Sequence, residues 1–405
     1  MKRYFISAIA LLAATIAGGW FWTTSAEDAV ESFLDQHWAH PIAPQGTPPV
    51  GFSPLEASLG AEACAQCHPD QHRDWRQSLH RKALGPGIRW QLRLMDQEAA
   101  NKCLRCHAPL AEQKALLARE HGWPNVPAGD LPEYVPPDLG HQGVMCSSCH
   151  LRDHQRFGPP SRGATREPAH DGFEVRAAYR DSRFCATCHQ FPEDGPRLNG
   201  KLREDTLAQW QASPWAGEKT CQQCHMPDRR HEFRGIHDPE MVRRAVELTL
   251  EIVEGDDRGL MAEASLGNVG AGHHFPTYMV PKVYLQLSLV GPQGQRRPLA
   301  ERTIGWQVDT AITKELADTR LPAGEWLKVR QPLASPPGEG WVVEAALKVA
   351  PAEHYERTYI DMLKQADKMD AETLGLLRQA LTEARATRFE ALRLREPVPV
   401  PGGAS

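Results

Sequence analysis

The chain has 405 residues, a formal charge of −5, 41% apolar residues and 24% charged ones. That is ample for more than one domain, and it excludes both a polytopic membrane protein and a wholly disordered tail. The mildly acidic balance argues against a nucleic-acid partner.

In chain order, Met1-Lys2-Arg3 precedes an apolar run over residues 4–22 that ends in Trp20-Phe21-Trp22 and leads to Ala26. Basic residues, an apolar stretch and a small residue make a secretory signal cut after Ala26. The same run, closed by interfacial aromatics, suits an uncleaved inner-membrane anchor, which is the preferred reading of residues 1–26. Either way the body lies outside the cytoplasm, in the periplasm. Residues 27–54 read as a linker: a helix-like segment over 29–38, then five prolines within 40–54 that enforce an extended spacer.

Residues 55–240 hold all ten cysteines, every one inside a C-x-x-C-H pentapeptide: Cys64/Cys67/His68, Cys103/Cys106/His107, Cys146/Cys149/His150, Cys185/Cys188/His189 and Cys221/Cys224/His225. Chance would supply on the order of 0.01 such motifs in a chain of this composition. Zinc needs free thiolates in fours, which five pairs do not supply evenly, and a redox dithiol explains one motif but not five. Two thiols separated by a two-residue turn can add to the two vinyl groups of one porphyrin, and the adjoining histidine then meets the iron. The motifs therefore imply five covalently bound haem c groups, with His68, His107, His150, His189 and His225 as proximal ligands. Five ferric haems would carry the formal charge to about −10. The motif histidines are 39, 43, 39 and 36 residues apart, but the intervening segments share little. A region this short around five macrocycles uses the haems as its core, which predicts short helices and long loops.

From Met241 the period changes to two: Val246, Leu248, Leu250 and Ile252 alternate with polar residues, as do Val283, Leu285, Leu287 and Leu289. With further strands over 263–269, 303–308, 325–331 and 340–349, residues 241–350 read as an antiparallel β-sandwich-like domain. Residues 351–395 read as C-terminal helices, 352–365 and 370–393, the second with a stripe of Leu374, Leu377, Leu381 and Ala384. Residues 396–405 read as a disordered tail.

Thirteen of the eighteen histidines lie outside the motifs, and each haem has one more axial position. A histidine there closes the iron for electron transfer, whereas an open position permits substrate chemistry. His80 is badly spaced for its own haem and better placed for another. His170 sits in a Pro/Gly-bounded segment with no helical reason to exist. Of His231 and His237, one is expected as a ligand. His273 and His274 sit in a glycine-flanked loop between strands, suited to bring an imidazole to a flat macrocycle. His141 and His154 flank the third motif and stand open, His141 being carried as a ligand candidate. His37, His40, His72, His121 and His354 read as surface residues.

GAEACAQCHPDQHRDWRQSLHRKA, in which C-x-x-C-H is followed by W-x-x-S-x-H, resembles the opening of the tetrahaem cytochrome c family that accepts electrons from hydroxylamine oxidoreductase. CQQCHMP with a following H-x-F-x-G, residues 221–235, is similar to the last haem segments of that group. The resemblance covers about residues 55–240. It implies stacked haems, mainly bis-histidine ligation, and His80 and His231 as distal ligands. Five motifs and an added C-terminal domain depart from it. The sequence thus points to a pentahaem electron carrier serving redox partner proteins, with a membrane-bound electron-transfer complex among the candidates. The alternative is an oxidoreductase acting on a small nitrogen or sulfur compound at one open haem. Pentahaem nitrite reductases are a poor match, since their catalytic haem commonly uses lysine where all five motifs here end in histidine. A third reading makes the strand-rich region a docking surface for a redox partner.

Overall fold

The computed structural model describes residues 29–160, 173–255, 259–333 and 339–399. The leader or anchor over 1–26, His170 and the end of the tail lie outside these. Among the described residues no helix is long and apolar enough to cross a membrane.

The first half is built of short helices, from the four residues Pro54–Ala57 to the eleven of Gln97–His107 and Ala111–His121, joined by irregular segments. It has no single large core. Three small clusters hold it: one around Leu59, Trp75, Leu110, Leu139 and Met145; one around Leu84, Leu92, Leu104 and Leu117; one around Trp38, Ile42, Tyr179 and Phe184. These peptide clusters are more than the sequence promised, because the aromatic and leucine positions between motifs pack on one another.

The second half carries nine strands among its described residues: β1 (Val246–Glu254), β2 (Leu260–Asn268), β3 (Lys282–Val290), β4 (Arg296–Ile304), β5 (Trp306–Val308), β6 (Glu315–Asp318), β7 (Trp326–Leu333), β8 (Val342–Ala350) and β9 (Phe389–Pro397). They form antiparallel sheets ordered β7-β2-β1, β9-β8-β3-β4 and β5-β6. Alternation does the sorting: Leu248, Leu250, Ala264 and Leu266 of one sheet meet Val283, Leu285, Leu287, Val343 and Leu347 of another in one buried cluster.

Three elements differ from the sequence reading, the short strand β6 among them, since it falls between the strands expected at 303–308 and 325–331. The last helix stops at Ala386, and residues 389–397 pair with β8 as a strand. A bulge at Ala391 breaks the two-residue period, since Leu347 pairs with Leu392 and Lys348 with Glu390; this hid the strand. Strand β4 begins seven residues before the expected Thr303. Its Arg296, Arg297, Pro298, Glu301 and Arg302 have the polarity of an edge strand, which is where it lies.

The halves interlock. Helix Ala371–Ala386 presents Leu377, Ala380, Leu381 and Ala384 to Trp90, on the helix Pro86–Leu92 of the first half. Arg93 then donates to Thr373 (2.8 Å) and pairs with Glu372 (2.8 Å).

Candidate haem sites

Each motif is a helical turn or the end of a helix: Ala61–Ala65 running on through His68, Gln97–His107, Cys146–His150, Arg183–His189 and Cys221–His225. The first cysteine and the histidine are four residues apart, so one turn puts both on one face. Local signals start and stop these turns. Thr220 and Gln223 form a reciprocal cap, and Asp96 accepts from Ala99 N–H at 2.8 Å. After the histidine, Pro69 opens a new helix, whereas Leu151 and Gln190 leave in extended conformation.

The five motifs are not equivalent, as a core made of haems alone would have them. Nine of the motif cysteines are half-buried, but Cys67 is exposed, and so is His68 beside it. The reason is local. Cys67 lies in the joint between the helices Ala61–Ala65 and Pro69–Gln77, on the outer side of the turn, while Cys64 faces inward to Cys146. Exposure does not prevent Cys67 from serving in attachment, since a thiol needs reach rather than burial to react.

The histidines are dressed as metal ligands. The Nδ1 atoms of His107, His150, His225, His231 and His273 lie 2.5, 2.8, 2.6, 2.9 and 2.9 Å from the backbone oxygens of Ala83, Phe157, Arg234, Arg229 and His274. A carbonyl accepts from a protonated Nδ1, which leaves Nε2 as the free lone pair: the second sphere that orients a ligating imidazole. Burial lowers the pKa of each of these rings, to about 4 for His150 and His273, and so keeps them neutral.

The rings also meet in pairs. His80 faces His189 with centroids 6.3 Å apart, His231 faces His150 at 6.2 Å, and His273 faces His225 at 6.3 Å. Two imidazoles gripping one metal from opposite sides at about 2 Å, each ring centre about 1.1 Å behind its nitrogen, stand about 6.3 Å apart. The spacing is too wide for stacking or hydrogen bonding and fits a haem iron between the rings. Among the described residues no three His, Cys, Asp or Glu side chains converge as they would on a bare zinc ion.

Each facing ring comes from a segment remote in sequence from the motif it faces. His80 is aimed by Trp75, whose indole N–H donates to Val144 O at 2.7 Å, and by Val144 N–H on the His80 carbonyl at 2.9 Å. Gly143 makes this possible: its φ is +66°, and a Cβ there would lie 2.4 Å from that carbonyl. His231 is held by Asp74, a buried carboxylate that takes both Arg230 nitrogens (2.6 and 2.7 Å) and the His231 N–H (3.1 Å). His273 descends from the loop after β2.

The motifs form a connected set. The sulfurs of Cys64 and Cys146, Cys106 and Cys188, and Cys185 and Cys221 are within hydrogen-bond reach, and Cys149 lies beside both Cys185 and Cys188. Motif one therefore neighbours motif three, three neighbours four, and four neighbours both two and five.

Other histidines fall elsewhere. His141, read as a ligand candidate, turns its Nε2 to Glu120 at 2.5 Å and faces no motif histidine. His154 is buried against Tyr134, with Nε2 3.3 Å from Gly46 O. His37 and His354, read as surface residues, are buried. His37 packs among Phe33, Trp38, Phe157, Tyr179 and Phe184 with Nε2 2.8 Å from Cys149 O, while His354 roots the helix Glu353–Leu363. His40 is half-buried. His72 pairs with Glu62, and His121 stacks on Trp123.

His107 differs from His150, His189 and His225. Among the described residues no imidazole faces it, and its motif neighbours Tyr355 and Glu204, with Tyr278 beside them. Burial pushes the Glu204 carboxyl up to about 8. Tyr355 keeps 42% of its surface accessible. No sequence signal marks these groups, which lie 97 to 248 residues beyond His107.

Residues 63–126 match the family model for cytochrome c554 and c-prime. No curated protein matches the chain. Among solved structures, the fold is similar to that of a penta-haem cytochrome c552 from Thermochromatium tepidum, with TM-score 0.57, 19% identity, 85% of this chain covered and 100% of that one. The chain has the fold and the attachment motifs of a multihaem c-type cytochrome and is built to bind haem c covalently.

Proposed function

We propose that this is a periplasmic five-haem cytochrome that passes electrons between redox partner proteins, each haem supplying a one-electron centre. The observation that carries the reading is the set of three imidazole pairs at 6.2–6.3 Å, one at each of motifs three, four and five. The chain's own contribution is to fix both axial nitrogens, exclude exogenous ligands from those irons, and set five attachment points side by side. In this reading the two main sheets of the second half form the two layers of a sandwich around their common core. Residues 1–26 would deliver or tether the body outside the cytoplasm.

A second reading rests on His107. With no facing imidazole, and with Glu204, Tyr278 and Tyr355 near its motif, the iron there would be open to a small nitrogen or sulfur compound. The test is addition of cyanide, nitrite or hydroxylamine to the holoprotein while its haem bands are followed. Electron transfer alone predicts no change in any band; perturbation of one haem in five would select the second reading.

A further inference from the structure

We infer that Asn268 is the positioning residue that holds His273 at its iron, an inference that rests on reading His273 as the distal ligand of motif five. Asn268 ends β2 and is completely buried. Its Nδ2 donates to the carbonyls of His273 (2.8 Å) and Leu321 (3.0 Å), and its Oδ1 accepts from Ala271 N–H (3.2 Å). One acceptor and two donors are required at that point, and a carboxamide is the side chain that supplies them. Aspartate would set a carboxylate against two carbonyl oxygens; leucine would fill the volume and take away the side-chain partner of the His273 carbonyl and the Ala271 N–H, while the Leu321 carbonyl would keep only Phe275 N–H.

The loop has little other freedom. A Cβ on Gly270 would lie 2.0 Å from Arg244 O, so the chain passes tight against the end of the helix Pro239–Ala245. From the opposite side Gln209, on the helix Thr206–Gln211, accepts from His274 N–H (3.1 Å) and from the Thr277 hydroxyl (2.8 Å). Asn268 thus grips the loop from the sheet and Gln209 grips it from the haem half, with His273 between them. The His273 Nδ1 meets the carbonyl of the next residue in the same loop, so displacing the loop carries both the ring and its orientation away from His225.

The experiment compares holoproteins of Asn268→Leu, Asn268→Asp and His273→Ala by low-temperature absorption and magnetic circular dichroism, with far-ultraviolet circular dichroism as the fold control. In His273→Ala one haem in five should become high-spin, and added imidazole should restore it. Both Asn268 variants should reproduce that signature with their strand content retained, and Asn268→Asp should not rescue. If His273→Ala leaves every haem low-spin, the ligation reading fails. If His273→Ala converts one haem but both folded Asn268 variants keep all the wild-type low-spin haems, the positioning role is overturned. Should Asn268→Leu not fold, Asn268→Asp decides by the same criterion.

Discussion

His80 and His231 each face a motif other than the one they follow in sequence, and His273 faces motif five from the strand-rich half, so replacing any one should have a local and countable effect. Alanine at each is expected to convert one haem from low to high spin, measured by electron paramagnetic resonance; His141→Ala should convert none, because its Nε2 already meets Glu120. Asp74→Ala should act on the same site as His231→Ala but more weakly, since loss of an outer partner typically costs about 10- to 100-fold in metal affinity. The motif histidines could be named as proximal candidates from sequence because the pentapeptide contains the whole attachment chemistry. The exposure of Cys67 could not be read there, because the pentapeptide says nothing of which side of its turn the rest of the chain covers. His80 and His231 stood out through the residues around them, Trp75 and Ser78 for the first and the H-x-F-x-G segment for the second. His141 could not be told from these, because the carboxylate that claims it lies twenty-one residues away and meets it only in three dimensions. The same limit hid Asn268, Gln209 and the Glu204, Tyr278 and Tyr355 group.

At the level of elements, the strand ladders have a weak point at low pH. Glu344, on β8, has a side chain with no exposed surface and pairs with Arg296, Arg393 and Arg395 at 2.7, 3.0 and 2.8 Å. Burial raises its pKa, but the hydrogen bonds from Arg296 and Arg395 and the nearby Arg393 charge outweigh it and hold the carboxyl below its ordinary value. Stabilisation from a depressed carboxyl is complete above the unfolded pKa of about 4.3 and is lost as pH falls through the lower folded value. Glu344→Gln should cost about 1–2 kcal/mol at pH 7, modest because the arginines are well exposed, and less at pH 3, below the unfolded pKa. Denaturant midpoints at the two pH values check this; an equal loss at both would contradict it. Leu377→Ala, in the helix that packs on Trp90, should cost about 2–5 kcal/mol in the same assay. Strands with unbroken alternation, such as β1 and β3, were legible. Strand β9 was not, because a single bulged residue shifts its apolar positions out of phase and makes the segment continue the helical pattern before it.

For the whole molecule, the sequence boundary near residue 240 falls inside the helix Pro239–Ala245, which runs straight into β1, so the halves are joined without a linker. The second half also places His273 opposite His225 of motif five and packs Leu377 in one cluster with Trp90 of the first-half helix Pro86–Leu92. A chain ending at residue 240 should therefore keep its haem attachment, lose one low-spin haem and melt at lower temperature. Unchanged spin states would show that the strand-rich half contributes no ligand. The account as a whole is tested most directly by Mössbauer spectroscopy of the oxidised, iron-57-labelled holoprotein. It predicts five irons per chain with at least three of them low-spin ferric; fewer than three low-spin irons would contradict it.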